Sequence, residues 1–306
     1  MALVWVPFDP DGLGELPVDL QVVRYPTEEF PDSIADVEFF VPTYDARLDV
    51  SEVLPRMRRL KVIQTLTAGV ENIAPLVPDG VVLANARGVH DASTAELAVA
   101  LMLASLRGLP DFVRAQAHGE WAYDQRRALA DHSVLIVGYG SIGAALERRL
   151  VSFECHLVRV ARSSRDGVHG WEALHELLPQ VDVVVLLVPL TNETTRLVDA
   201  AFLAAMKDGA VLVNVSRGGV VDTDALVAEC RTGRLLAALD VTEPEPLPAD
   251  HPLWRTPGVL ITPHVGGATT AMAPRAYRLV RDQLRRWAAG EPLQNVVRAA
   301  GHSPVR

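Results

Sequence analysis

A few residues stand out for the chemistry their side chains, or lack of one, would support. Gly138, Gly140 and Gly143 in "VLIVGYGSIGAALERRL" match G-x-G-x-x-G between a β-type run and a helical run. Gly138 would allow a tight turn, Gly140 would let a pyrophosphate approach the backbone, and Gly143 would let helix and strand pack closely, while helix N–H groups face the phosphates. Arg217 in "VNVSRGGVVD", Asp240 and Glu245 in "ALDVTEPEPLP", and His264 in "ITPHVGG" each stand at the end of an apolar run. In an open parallel sheet, ligands bind beyond the carboxyl ends of the strands, so these side chains would converge beside the nicotinamide of a bound dinucleotide.

That convergence needs a parallel sheet, and the surrounding sequence predicts one. Before residue 90, short β-type runs recur at 2–8, 20–25, 37–42, 60–66 and 81–86, with the helix-compatible "DVSEVLPRMRRL" among them. A long helix follows over "DASTAELAVALMLASLRGL", with Ser93 or Thr94 placed to cap it and Glu96 near its positively polarised start. Strands at 134–138, 156–161, 182–189, 210–216, 235–241 and 258–264 then alternate with helices at 142–152, "GWEALHELLPQV", "AAFLAAM" and "DTDALVAECRTG". Parallel neighbours require crossovers, and near-continuous Val and Leu implies burial on both faces, so a doubly wound α/β fold is expected. A last amphipathic helix over about 272–289 stops at Gly290-Glu291-Pro292.

Composition narrows the function classes. The 306 residues are 49% hydrophobic and 22% charged, which is ordinary for a globular chain of one or two domains. A formal net charge of −9 lacks the basic field of a nucleic-acid binder. Cys155 and Cys230, the two cysteines, are far apart and without metal-ligand spacing; neither a disulfide nor a metal is expected, and a reducing compartment is. "MALVWVPFDP" lacks a basic start and reads as a strand rather than a signal peptide, and "VDVVVLLVPL" is about half a membrane span. A cytoplasmic location and no membrane partner are the expectation.

Which dinucleotide is bound turns on the end of the second strand of the glycine-loop unit, where NAD-binding proteins usually place an acid on the ribose hydroxyls. Here "VRVARSSRDG" puts Ala161 at that place, followed by Arg162, Ser163, Ser164 and Arg165. Cations and hydroxyls there suit a 2′-phosphate, so NADP(H) is preferred. Asp166 could reach a ribose from farther along the loop, which leaves NAD(H) open.

Taken singly, Arg217 could satisfy helix ends, Glu245 could be a solvated loop acid and His264 a core histidine. Together they match what hydride transfer to a keto acid requires: a carboxylate clamp and a proton donor at the developing alkoxide. An ionised carboxylate beside an imidazole favours the protonated ring, which would leave the histidine ready to donate during reduction.

These residues resemble the D-2-hydroxyacid dehydrogenases, and the resemblance spans nearly the whole chain: "AELAVALMLA", "VGYGSIG", "VPLTNETTRLV", "VNVSRGGVVD", "AALDVTEPEPLP", "HPLW", "ITPHVGG" and "GEPLQNVV" occur in family order. The resemblance implies that Arg217 binds the substrate carboxylate and carbonyl, that His264 is the general acid/base, and that Glu245, rather than Glu243, pairs with it. It implies cofactor contacts from Ser141, Ile142, Val188, Val215, Ser216 and Gly266, with Pro189 and Thr194 on the adenine and ribose side, Asp240 near the nicotinamide ring and Thr94 at the inner end. The Ala68 and Gly69 backbone would hold the substrate carboxylate, with Tyr44 as a pocket wall. Its implied architecture is a Rossmann dinucleotide domain, 94–278, inserted into a smaller flavodoxin-like substrate domain, 1–93 and 279–306, with the active site between them and a homodimer formed through the dinucleotide domain. The implied substrate is a small 2-keto or 2-hydroxy acid of the glyoxylate or hydroxypyruvate kind. A nucleotide-sensing corepressor on the same fold, or a phosphite- or formate-type dehydrogenase, is the alternative.

Overall fold

The computed structural model describes residues 1–26, 29–44 and 48–299. The chain divides into two compact units, Met1–His90 with Thr270–Arg306, and Asp91–Thr269. In the first unit, β1 (Ala2–Val6), β2 (Leu20–Arg24), β3 (Val37–Phe40), the short α1 (Val50–Val53), β4 (Val62–Gln64) and β5 (Val82–Ala84) build a parallel sheet in the order β2-β1-β3-β4-β5. This is the 2-1-3-4-5 order of flavodoxin-like folds.

Successive strand residues point to opposite faces. Trp5, Phe40, Ile63 and Leu83 therefore pack on one side of this sheet, and Val4, Val6, Phe39 and Val62 on the other. Both sets are buried, which is why these strands read as continuous apolar runs.

The second unit opens with α2 (Asp91–Leu106) and α3 (Leu109–Ala117), followed by β6 (Ser133–Val137), α4 (Ser141–Leu150), β7 (His156–Val160), α5 (Leu174–Leu177), β8 (Val183–Leu186), α6 (Ala200–Ala205), β9 (Val211–Asn214), α7 (Thr223–Arg231), β10 (Leu236–Leu239) and β11 (Val259–Ile261). All six strands are parallel, in the order β7-β6-β8-β9-β10-β11. His169 adds a single parallel bridge outside β7 at Val160, a vestigial strand that completes the 3-2-1-4-5-6 winding of dinucleotide-binding sheets. Val134 and Ile136 face α2 and α4, whereas Leu135 and Val137 face α5, α6 and α7, so helices cover both sides as expected.

The helix of the closing segment, α8 (Met272–Ala288), lies wholly in the first unit. Its residues Ala276, Val280 and Leu284, spaced at four, form one buried stripe against the Val4 and Phe39 face. Packing therefore puts the second division at 269/270, before this helix, where the sequence places it at 278/279; the first falls at 90/91 instead of 93/94.

Local differences from the sequence reading have physical causes. Helix α2 begins at Asp91, so Ser93 and Thr94 are inside it and do not cap it; both are buried and turn to the 266–269 segment, Ser93 Oγ lying 2.7 Å from Thr269 Oγ1 and Thr94 Oγ1 3.5 Å from the Gly266 carbonyl. The segment "GWEALHELLPQV" forms only one α-turn between two 3-10 turns, because Pro179 has no N–H to continue the helix. Helix α3 is missed by the sequence reading although Leu109, Phe112 and Val113 have helical spacing; Gly108, at φ +61, separates it from α2, and it buries no residue. The three-residue β12 (Val296–Arg298) is too short to show a period, and pairs antiparallel with β5. Among the described residues no single helix is long and apolar enough to cross a membrane.

Truncating Leu146, a fully buried α4 side chain between α2 and β6, should cost about 2–5 kcal/mol. Urea unfolding of Leu146→Ala followed by circular dichroism should therefore show a clearly lowered midpoint.

Candidate active site

Because the strands of the second unit are all parallel, their carboxyl ends lie along one edge of the sheet, and every site residue expected in that unit other than Thr94 follows one of those ends. After β6, Gly138 has φ +101, and a Cβ there would sit 2.6 Å from the Leu187 carbonyl carbon. Its N–H donates to the Val160 carbonyl at 2.9 Å, so the turn is closed against both neighbouring strand ends. Gly140 has open space where a Cβ would be and stands at the cap of α4, ahead of Ser141 and Ile142. A Cβ on Gly143 would meet the Gly138 carbonyl oxygen at 2.8 Å. Tight turn, open backbone and close helix packing are thus in place for a dinucleotide pyrophosphate, and Gly140, Ser141 and Ile142 would hold it.

At the end of β7, Ala161 is buried and no acid follows immediately. Arg165 donates to the Tyr139 carbonyl at 2.7 Å and its guanidinium carbon lies 5.7 Å from the Tyr139 ring centroid, which fixes it to the glycine loop. Arg162 is paired with Glu193 at 2.6 Å, and Ser163 is exposed between the two arginines. The Tyr139 ring is also bound from behind: its hydroxyl donates to Glu147, which accepts from Arg159 Nε at 2.8 Å. Hydrogen bonding from Arg159 holds the Glu147 carboxyl below its usual range, and Glu147 in turn pushes the Tyr139 phenol up.

After β8, Val188 is buried and Pro189 begins a turn that Thr194 closes. The Thr194 hydroxyl donates to the Pro189 carbonyl at 2.6 Å and accepts from the Thr191 N–H at 2.7 Å, so it shapes the turn from inside.

After β9, buried Asn214 organises the segment carrying Val215, Ser216 and Arg217. Its Oδ1 accepts from the Ser216 N–H at 3.0 Å and from the Ser216 hydroxyl at 2.7 Å, while its Nδ2 donates to the Arg217 carbonyl at 2.9 Å. Arg217 Nη1 donates to the Ser216 carbonyl at 2.7 Å. A Cβ on Gly218 would overlap the Thr242 carbonyl, so the arginine turn lies directly on the loop that follows β10. Sequence reasoning missed Asn214 and Gly218; the signal for Asn214 was a polar residue closing an otherwise apolar strand.

The loops after β10 and β11 are joined by Asp240, which is 2% exposed. Its carboxylate accepts from the Thr262 hydroxyl at 2.6 Å, the Val265 N–H at 2.9 Å and the Gly266 N–H at 2.9 Å. Between these donors His264 adopts φ +52, a left-handed conformation uncommon outside glycine, held by its own N–H donating to the Asp240 carbonyl at 2.7 Å. The imidazole is thereby aimed at Glu245, with Nδ1 2.5 Å from Oε1. An ionised carboxylate only accepts, so Nδ1 carries the hydrogen in this pair and Nε2 is the nitrogen left to exchange a proton. Glu243, the competing acid, has its carboxylate beside Gly219 instead.

The remaining expected residues belong to the first unit. The Ala68 carbonyl accepts from Asn85 Nδ2 at 2.7 Å and the Gly69 carbonyl from the Thr67 hydroxyl at 2.7 Å. No backbone carbonyl among the described residues accepts from the Ala68 or Gly69 N–H, which suits these groups to an anion. The Tyr44 ring lies 5.3 Å from that of His90. Among the described residues no group of three His, Cys, Asp or Glu side chains is placed to hold a metal ion.

Residues 99–266 match the sequence model for the D-isomer specific 2-hydroxyacid dehydrogenase, NAD binding domain. The chain belongs to the D-isomer specific 2-hydroxyacid dehydrogenases. It is 34% identical over 280 residues to the glyoxylate reductase of Thermococcus onnurineus, covering 85% of this chain and 82% of that one. It is 32% identical over 302 residues to the D-3-phosphoglycerate dehydrogenase of Methanocaldococcus jannaschii, covering 94% of this chain but 56% of the relative; the chain spans about half the length of the phosphoglycerate dehydrogenases it matches. The D-isomer specific 2-hydroxyacid dehydrogenase of Xanthobacter autotrophicus Py2, solved with NADPH and MES, superposes with a TM-score of 0.81 at 31% identity, covering 97% of this chain and 98% of that one. Both sheets fit this family's fold of two parallel α/β domains.

The contact at Gly218 makes this family member sensitive at a residue that does no chemistry. A methyl group there must push the Arg217 turn off Thr242, so Gly218→Ala should lower kcat/KM by roughly tenfold or more, a cost of at least about 1.4 kcal/mol in transition-state stabilisation, in steady-state assays.

Proposed function

We propose that the chain reduces a small 2-keto acid of the glyoxylate or hydroxypyruvate kind to the D-2-hydroxy acid, or runs the reverse reaction, with NADP(H) preferred and NAD(H) accepted. The observation that carries this is the His264–Glu245 pair, set by the Asp240-held loop at the same sheet edge as Arg217. A nucleotide-sensing protein needs the glycine cradle but has no use for an acid-supported imidazole.

Bound reduced nicotinamide would supply the hydride to the carbonyl carbon. As negative charge grows on the carbonyl oxygen, His264 gives it the Nε2 proton, and Glu245 holds the resulting ring in place through Nδ1. Arg217 steadies that oxygen and the substrate carboxylate through its planar guanidinium fork. The Ala68 and Gly69 N–H groups are proposed to share the carboxylate, with Tyr44 limiting the size of the acid. Arg162, Ser163 and Arg165, in place of an acid after β7, support the NADP(H) preference, as do an NADPH complex at 31% identity and an NADPH-dependent glyoxylate/hydroxypyruvate reductase from Sinorhizobium meliloti at 26%. The low thiol count supports a cytoplasmic setting, and the acidic balance argues against nucleic acid.

A homodimer is also proposed. Leu109 and Val113 on α3 and Trp121 and Tyr123 beyond it are exposed, an apolar array that a second copy would cover.

Assays of glyoxylate, hydroxypyruvate, 3-phosphohydroxypyruvate and phenylpyruvate with each reduced cofactor should give turnover, with the highest kcat/KM for the small acids and NADPH; tight cofactor binding without turnover would favour a sensor. His264→Ala should lower kcat by about 10² to 10⁴ with cofactor affinity largely kept. Because reduction takes a proton from His264 and oxidation returns one, the reduction rate should fall and the oxidation rate rise with increasing pH, a contrast that pH–rate profiles in the two directions will show. Trp121→Glu should shift the sedimenting mass from dimer to monomer.

A further inference from the structure

We propose that Glu193 is a specificity-determining residue for the cofactor: on Arg162 its carboxylate occupies the place that a 2′-phosphate would take. The inference rests on the reading of Arg162 and Arg165 as facing the 2′ position of the ribose.

The two arginines are held in different ways. Arg165 is bound to the Tyr139 carbonyl and ring, partners without net charge, so an arriving anion displaces nothing. Arg162 is already neutralised, with Nη2 2.6 Å from Glu193 Oε1. Glu193 comes from the turn after β8, whose base is fixed: the Thr194 hydroxyl bonds both Pro189 and Thr191, and the Thr195 hydroxyl donates to the Thr191 carbonyl at 2.8 Å. The backbone thus presents the carboxylate to Arg162 from a rigid support while its side chain can still rotate.

The side chains of Arg162 and Glu193 are 78% and 55% exposed, so water screens the pair, and such exposed pairs hold by a factor of about five at most. A phosphate carries up to two charges and three strong acceptors, which a guanidinium fork meets better than a single carboxylate. A 2′-phosphorylated dinucleotide therefore binds by anion exchange at Arg162 and pays for the displaced carboxylate. With an unphosphorylated ribose, Glu193 stays on Arg162 and that guanidinium keeps its counter-charge. Glu193 thus moderates the preference for the phosphorylated cofactor and keeps the unphosphorylated one usable.

Calorimetric titration with NADP⁺ and NAD⁺, without substrate, tests this through the ratio of the two dissociation constants. Replacing Glu193 by Gln removes the competing charge from an exposed position and should raise the preference for NADP⁺ by about two- to fivefold, almost wholly through tighter NADP⁺ binding. In an Arg162→Ala background the same substitution should leave the ratio unchanged. An unchanged ratio in Glu193→Gln, or a gain that persists without Arg162, overturns the role of Glu193. The NADP(H) preference itself is judged separately, from whether the wild-type ratio exceeds one and falls in Arg162→Ala.

Discussion

The site depends on one buried carboxylate. Asp240 closes β10 and takes hydrogen bonds from Thr262, Val265 and Gly266, so the end of β10 and the loop after β11 move as one piece. His264 lies inside that grip with a backbone conformation that few side-chain-bearing residues adopt. The strain is tolerated because donors on either side of it are satisfied by the same acid. A charged group in so dry a place is acceptable only with such partners. Its consequence is direction: the loop so held presents the imidazole to Glu245.

A second constraint is steric. Gly218 lets the turn after β9 rest on Thr242, and Asn214 gives that turn its shape from within the sheet edge. Arg217 is therefore referred to the same loop that carries Glu245. Three strand ends, β9 to β11, are locked together by contacts between backbone and buried polar groups, and the candidate catalytic side chains project from that platform.

Much of this was legible in the sequence. The parallel sheets follow from apolar runs alternating with helices, and the G-x-G-x-x-G spacing marks the end of β6 because each glycine answers a separate steric demand. Arg217 and His264 stand out as candidates because each is polar and follows closely on an apolar strand. The choice of Glu245 over Glu243 came from resemblance alone, since two acids two positions apart on a proline-rich loop have no periodicity to separate them. The capping role read for Ser93 and Thr94 failed because hydroxyls that satisfy a cap equally satisfy a neighbouring loop, and only packing decides between them. Strand β12 is three residues long, too short to show a period, whereas helix α3 does carry apolar residues at helical spacing, Leu109, Phe112 and Val113, and was missed because the sequence reading ended its long helix there.

The sheet of the first unit is assembled from stretches on both sides of a long insertion. Its edge strand β12 and its covering helix α8 are synthesised after the whole of the second unit, and the side-chain oxygen of buried Gln64 accepts from Gln283 of that late helix at 2.7 Å. On the ribosome the inserted unit is contiguous and can complete its winding first. Until α8 emerges, the apolar face of Val4, Phe39 and Val62 lacks the Ala276, Val280 and Leu284 stripe that covers it in the folded unit, so this sheet is completed last.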